Sequence, residues 1–240
     1  MNLTTRAIFF DVDFTLIFPK STFDASGYQS FGDRHGLRVI PDPRLFAAAV
    51  EVASSELEMA EDLVYRPELF VRYARRVLEE MGAQGPGLDA CAREIYDEWA
   101  ECRHFSLYDD VKSVLRELHG KGLQLGLISN THRCLELFKR HFGLEVFITS
   151  AVSSCAHGFM KPHPSIFEEA LRMVGVAADE ALMVGDSMKH DIVGALGVGM
   201  RGVLLVRSGL LDERAEAVPV ISSLRELPAV VSACSTGKLR

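Results

Sequence analysis

Four apolar residues, Ala7-Ile8-Phe9-Phe10, run directly into Asp11-Val12-Asp13. A short, unbroken apolar run is what a strand buried on both faces looks like, and such strands belong to parallel sheets. Residues i and i+2 of a strand share a face, so Asp11 and Asp13 leave the sheet edge together if the strand geometry continues that far. Two carboxylates held in this way repel each other. A cation, a shared proton or a reaction is needed to account for them. Asp is also common in ordinary strand-end turns, and so short a pattern recurs by chance. The rest of the chain decides between the two readings.

Two regions differ in texture. From Phe23 to about His104 no strand is evident and helical periodicity dominates. Leu45, Ala48, Ala49 and Val52 recur at three- and four-residue steps, as do Leu69, Tyr73 and Val77. Pro41 and Pro43 precede one helix, Pro67 opens another, and Gly85-Pro86-Gly87 breaks the chain before a helix carrying Ile95 and Trp99. Three or four helices are expected, enough for a small bundle.

From Phe105 onward strands and helices alternate. Strands are expected at Leu123–Ile128, Val146–Ile148, Ala181–Val184 and Gly202–Val206, with helices around Val111–Leu118, Leu135–His141, Pro164–Val174 and Ile192–Leu196. Short apolar strands between amphipathic helices argue for an α/β fold, a parallel sheet covered on both faces. The strand at Ala7–Phe10 belongs with this region by type. The economical architecture is a Rossmann-like core from residues 1–16 and 105–240, with an all-α segment, 17–104, inserted after the first strand.

Composition narrows the function classes. The net charge is -7 and no long basic run occurs, which disfavours nucleic acid or an anionic membrane as the main partner. No apolar stretch approaches transmembrane length, and the start lacks a secretory core, so a cytoplasmic protein is expected. The five cysteines are odd in number and irregularly spaced, matching neither a disulfide framework nor a zinc site.

In an open parallel sheet, ligands bind beyond the carboxyl ends of the strands. Polar residues recur at that place in this chain. Asp11 and Asp13 follow the first strand, and Ser129-Asn130-Thr131 follows Leu123–Ile128. Gly185-Asp186 follows Ala181–Val184, with Asp191 five residues on, and Lys161-Pro162-His163-Pro164 precedes a helix in between. This order and content resemble the haloacid dehalogenase superfamily, which consists mostly of phosphotransferases. Its four motifs are Asp-x-Asp-x-Thr, a Ser or Thr ending a strand, a Lys, and a Gly-Asp followed by a second Asp. The inserted segment resembles the family's helical cap of the type placed after the first motif.

The resemblance implies a role for each residue. Asp11 is the expected nucleophile of an aspartyl-phosphate mechanism, and Asp13 the expected general acid and base. Ser129 and Asn130 are expected to bind the phosphoryl group, with Lys161 placing its ammonium between Asp11 and the phosphate. Mg2+ is the expected cofactor, held by Asp11 and Asp186, by the backbone carbonyl of Asp13, and by Asp191 through water unless Asp191 instead orients Lys161. The chemistry is consistent: a phosphate dianion repels a carboxylate nucleophile until a cation and N–H donors cancel the repulsion. Asp13 also separates reaction classes, because family members that displace halide from carbon lack a carboxylate there. A small phosphorylated metabolite is the expected partner. A sugar-phosphate mutase, or a binding protein of this fold without turnover, is the alternative. Oligomeric state is not legible.

One position departs from the family pattern, which often has Gly after the second Asp. Here it is Phe14. A bulky residue disfavours positive φ, so the turn is expected to stay in ordinary backbone space. In the helical segment, Lys20, Arg34 and Arg66 are candidate contacts for the leaving group.

Overall fold

The computed structural model describes residues 5–58, 63–207 and 218–235. In chain order, β1 (Ala7–Phe10) leads through a tight turn to β2 (Ile17–Pro19). Helices α1 (Ala25–Arg34), α2 (Pro43–Glu58), α3 (Pro67–Glu80) and α4 (Leu88–Trp99) follow, and β3 (Phe105–Leu107) returns the chain. Then come α5 (Val111–Gly120), β4 (Gln124–Ser129), α6 (Leu135–Phe142), β5 (Ile148–Ser153), α7 (Ser154–His157) and α8 (Pro164–Val174). After β6 (Ala181–Gly185) a π-helical turn, Met188–Val193, runs into α9 (Gly194–Gly197). The chain continues through β7 (Arg201–Leu205) and β8 (Val220–Ile221) to α10 (Leu227–Ser235).

Contacts divide the chain into two units, Met1–Phe18 with Leu107–Arg240, and Pro19–Ser106. The first holds a six-stranded sheet in the order β5-β4-β1-β6-β7-β8, every pairing parallel. β1 lies inside this sheet and is buried along its whole length, as its unbroken apolar sequence requires. Beside it, Phe9, Ile128 and Met183 pack with Ile166, Phe167 and Ala170 of α8 in one apolar cluster. Each large side chain so buried contributes roughly 1.5–3 kcal/mol. Pro at the first turn of α8 and Gly175, left-handed at φ 67, at its end fix that helix against the sheet.

The second unit is helical. Phe23 meets Trp99 at 4.6 Å and Phe105 at 5.6 Å between ring centroids, and Trp99 meets Phe105 edge-on at 5.0 Å. These aromatic contacts anchor α4 to the start of the segment. β2 and β3, where the chain passes between the units, pair as a separate two-stranded sheet.

Two expected elements are placed differently. The strand expected at Val146–Ile148 is instead β5, beginning at Ile148. Among the described residues β5 pairs only with β4, so its residues alternate between buried and open positions and the apolar signal is diluted, while Val146 is exposed. The helix expected from Ile192 begins four residues earlier as the π-helical turn. Among the described residues no helix is long and apolar enough to cross a membrane, and Cys91, Cys134 and Cys155 are free thiols.

Candidate active site

The strand order reverses at β1, with β4 and β5 to one side and β6, β7 and β8 to the other. The C-terminal end of β1 is therefore the switch point where a crevice forms in such sheets. Phe10 lies level with Leu127 of β4 and Val184 of β6. Asp11 carries the ladder one step further, its N–H donating to the Val184 carbonyl at 2.9 Å. In this register Asp11 stands beside Ile128 and Gly185, and Ser129 and Asp186 follow one residue on. Ser129 closes β4 and is buried.

Lys161 reaches the same place from the loop before α8 and is 2% exposed. Its Nζ donates to Asp11 Oδ1 at 2.6 Å, Asp191 Oδ1 at 2.6 Å and the Ile128 carbonyl at 2.8 Å. The three donors of an ammonium are thus all used. Asp191 comes from the π-helical turn, and its other oxygen, Oδ2, accepts from the Ser187 N–H at 3.0 Å. The turn brings this carboxylate so close to β6 that a Cβ on Gly185 would lie 2.1 Å from Asp191 Oδ2. Single π-helical turns of this kind often re-aim a side chain at a functional site.

Asn130 lies at the mouth of the same loop. Its Nδ2 donates to the Lys161 carbonyl at 3.0 Å, and its Oδ1 accepts from the Lys161 N–H at 2.7 Å. The carboxamide is clasped to the Lys161 backbone, where it fixes the position from which the ammonium reaches inward. His157 and His163 both hydrogen-bond Ser165 Oγ at 2.8 Å, and His190 is 3.1 Å from Ser187 Oγ. In the helical unit, Lys20 Nζ donates to the Arg103 carbonyl at 2.9 Å and Arg34 pairs with Glu94 at 2.8 Å.

Asp13 takes a different direction from Asp11. Its carboxylate accepts from Arg133 Nη1 at 3.1 Å and 3.2 Å, one contact to each oxygen. Arg133 did not stand out in the sequence. The only signal for it was a basic residue four positions after Ser129, and a lone Arg is ordinarily solvated.

The turn between Asp13 and β2 overturns the expectation for Phe14, which stands at φ 61, in the left-handed region. The cause is the hydrogen bonding around it. The N–H groups of Leu16 and Ile17 both donate to the Val12 carbonyl, at 2.9 Å and 3.1 Å, and the Phe14 N–H donates to the Ile17 carbonyl at 2.7 Å. Closing so tight a reversal demands a left-handed residue, and the backbone bonds prevail over the preference of the side chain. Phe14 is 46% exposed.

The electrostatics follow from this packing. Burial pushes the Asp11 carboxyl up to about 7; Lys161 opposes the rise, and Asp191 and Asp13 add to it. Asp186 is also raised, by desolvation first and then by the charges of Asp11 and Asp191. Burial alone would lower the Lys161 ammonium. The carboxylates of Asp11 and Asp191 outweigh it and hold the group charged, above its ordinary range. An excess of negative charge thus remains at the strand ends after Lys161 is counted. Asp11, Asp186 and Asp191 each offer an oxygen within 4.8 Å of the others, a donor set of hard carboxylates that suits a cation such as Mg2+. The Asp13 carboxylate, turned to Arg133, is not part of this group.

The chain is similar to several known proteins. Glyceraldehyde 3-phosphate phosphatase of Methanothermobacter thermautotrophicus is 31% identical over 204 residues, covering 83% of this chain and 85% of its own. The crystal structure of 2-haloacid dehalogenase from Pseudomonas syringae superposes with a TM-score of 0.63 at 26% identity, over 95% of this chain and 99% of that one. The HAD-hydrolase YfnB of Bacillus subtilis, solved bound to magnesium, gives a TM-score of 0.70 at 21% identity, over 95% and 99% of the two chains. Residues 5–199 match the family of haloacid dehalogenase-like hydrolases. That match runs from β1 past the π-helical turn and spans Asp11, Ser129, Lys161, Asp186 and Asp191, and the chain belongs to the haloacid dehalogenase-like hydrolase family.

Proposed function

We propose that the protein is a Mg2+-dependent phosphatase that hydrolyses a small phosphate monoester through an aspartyl-phosphate on Asp11. The observation that carries this reading is the ammonium of Lys161, held 2.6 Å from Asp11 beside the group formed by Asp11, Asp186 and Asp191. Such an arrangement gives a carboxylate nucleophile the positive charge it needs to approach a phosphate dianion. The phosphatase relative at 31% identity supports a phosphorylated metabolite as substrate. Solved structures of the fold include a dehalogenase as well. Asp13 favours phosphoryl transfer, because an alkoxide leaving group needs a proton and a halide does not.

In the mechanism, an Asp11 oxygen attacks phosphorus as the bond to the ester oxygen breaks, and Asp13 gives its proton to the departing alkoxide. Water then attacks the phosphorus of the aspartyl-phosphate. Asp13 takes the water's proton, the bond from phosphorus to the Asp11 oxygen breaks, and inorganic phosphate leaves with Asp11 again a carboxylate and Asp13 again an acid. Ser129 and the turn after β4 orient the phosphoryl oxygens, and Lys161, steadied by Asp191 and by the clasp of Asn130, offsets their charge. Asp11, Asp186 and Asp191 would hold Mg2+, which when bound neutralises charge on the phosphoryl group. Segment 17–104 is read as the cap of this family type.

The test is hydrolysis of p-nitrophenyl phosphate and a panel of metabolite phosphates, with Mg2+ and with EDTA. Turnover is expected only with the metal, and D11N is expected to lose roughly a thousandfold or more while remaining folded. Metal-independent turnover, or wild-type rates in D11N, contradicts the reading.

A further inference from the structure

The pairing of Arg133 with Asp13 links two residues that lie 120 positions apart. Arg133 is 1% exposed, and its side chain is among the largest fully buried ones in the described chain. Arginine is almost never enclosed in this way unless it is paired. Here the charge it meets is the carboxylate assigned to proton transfer. A single nitrogen, Nη1, contacts both Asp13 oxygens, at 3.1 Å and 3.2 Å, so the charge-assisted contact fixes where the carboxylate sits.

The backbone ties Arg133 to the same strand end that carries Ser129. The Thr131 N–H donates to the Ser129 carbonyl at 3.1 Å. The Arg133 N–H donates to Thr131 Oγ1 at 3.1 Å, and the Cys155 N–H donates to the Thr131 carbonyl at 3.2 Å. The guanidinium is therefore mounted on the turn expected to orient the phosphoryl group. The turn that carries Asp13 holds the left-handed Phe14 and is closed by its own hydrogen bonds. Proton transfer to a leaving oxygen tolerates little misplacement of the donor. A rigid link between the phosphoryl-binding turn and the proton-transfer group sets that distance.

We propose that Arg133 is a positioning residue that orients the Asp13 carboxylate toward the leaving-group oxygen. The proposal rests on the phosphatase reading above. A purely structural ion pair would stabilise the fold without regard to the leaving group. A positioning residue matters most where the leaving oxygen needs its proton most.

The experiment compares phenyl phosphate, whose poor leaving group depends on protonation, with p-nitrophenyl phosphate, whose good one does not. R133M is expected to lower kcat on phenyl phosphate by roughly thirtyfold or more, and on p-nitrophenyl phosphate by less than about threefold, with KM little changed. R133K, which keeps a cation of shorter reach, is expected to recover part of the loss. Because R133M leaves the partly buried Asp13 charge without this partner and so costs stability, the pair D13N and D13N/R133M is measured as well; neither carries that carboxylate charge. The second substitution is expected to leave the rates of D13N unchanged on both esters. Equal losses on the two esters, a change confined to KM, or a further slowing of D13N by R133M overturns the proposal while leaving the phosphatase reading intact. Absence of wild-type turnover on either ester overturns both.

Discussion

Lys161 Nζ stands equidistant from Asp11 and Asp191, 2.6 Å from an oxygen of each, with the ammonium closed off from solvent. One cation thus serves two carboxylates that would otherwise repel each other. Replacing it with an isosteric apolar side chain, K161M, leaves both anions buried without their shared partner. The loss expected in urea denaturation is roughly 3–5 kcal/mol, the range for breaking a buried ion pair on one side. Hydrolysis of p-nitrophenyl phosphate is expected to fall by roughly a hundredfold or more, since the charge opposing phosphate repulsion goes with it. Near-normal turnover in K161M would remove Lys161 from the mechanism.

The raised carboxyl of Asp11 gives stability a particular pH dependence. Its folded value of about 7 lies above the ordinary 3.8, so the folded chain binds this proton more tightly than the unfolded chain does. The stabilisation is present in full below the ordinary value and is lost as pH rises through the folded one. Asp186, also raised, acts with the same sign. In EDTA the melting temperature is therefore expected to fall between about pH 4 and pH 7 through these groups. Mg2+ binds the ionised carboxylates, so the shift it produces in Tm is expected to be larger at pH 8 than at pH 5. A Mg2+ shift that is independent of pH would contradict the assignment of the cation to this cluster.

How far the chain could be read ahead of its structure depends on where each signal resides. β1 was legible because a strand buried on both faces must be apolar at every position, and Ala7–Phe10 is. The placing of Asp11 and Asp186 was legible because each directly follows a strand whose register the parallel sheet fixes, and Lys161 and Asp191 were legible from the family motifs around them. β5 was not, since an edge strand needs apolar residues only at alternate positions. Arg133 was hidden because its burial comes from a partner 120 residues away, and no local pattern marks a cation that will be enclosed. Phe14 was misread because side-chain preference was weighed without the hydrogen bonds from Leu16 and Ile17 to Val12 that close the turn.

The left-handed conformation of Phe14 offers its own measurement. A non-glycine residue there costs about 1–2 kcal/mol, and glycine removes that cost while adding about 0.4–1 kcal/mol of unfolded-state entropy. Phe14 is 46% exposed, so only part of its surface is packed. F14G is therefore expected to be as stable as the parent or more stable, by up to about 1 kcal/mol in urea denaturation. A loss of more than about 1 kcal/mol would show that the ring stabilises the fold by contacts that outweigh the strain of its backbone.

Gly185 tests the approach of the π-helical turn to the sheet. A methyl group there would meet Asp191 Oδ2 at 2.1 Å and Asp191 Cγ at 2.3 Å, far inside contact distance. Asp191 cannot yield without losing the Lys161 ammonium on one oxygen and the Ser187 N–H on the other. G185A is therefore expected to cost roughly 1–3 kcal/mol of stability, the range for overpacking a closed interior. Displacing Asp191 also loosens Lys161 and disturbs the carboxylate cluster, so the Mg2+ concentration for half-maximal turnover is expected to rise as kcat falls. The control is S187A, which removes the Ser187 hydroxyl but keeps the backbone N–H that binds Asp191. If G185A turned over normally with unchanged Mg2+ dependence, the close packing of β6 against Asp191 would have no part in holding the site.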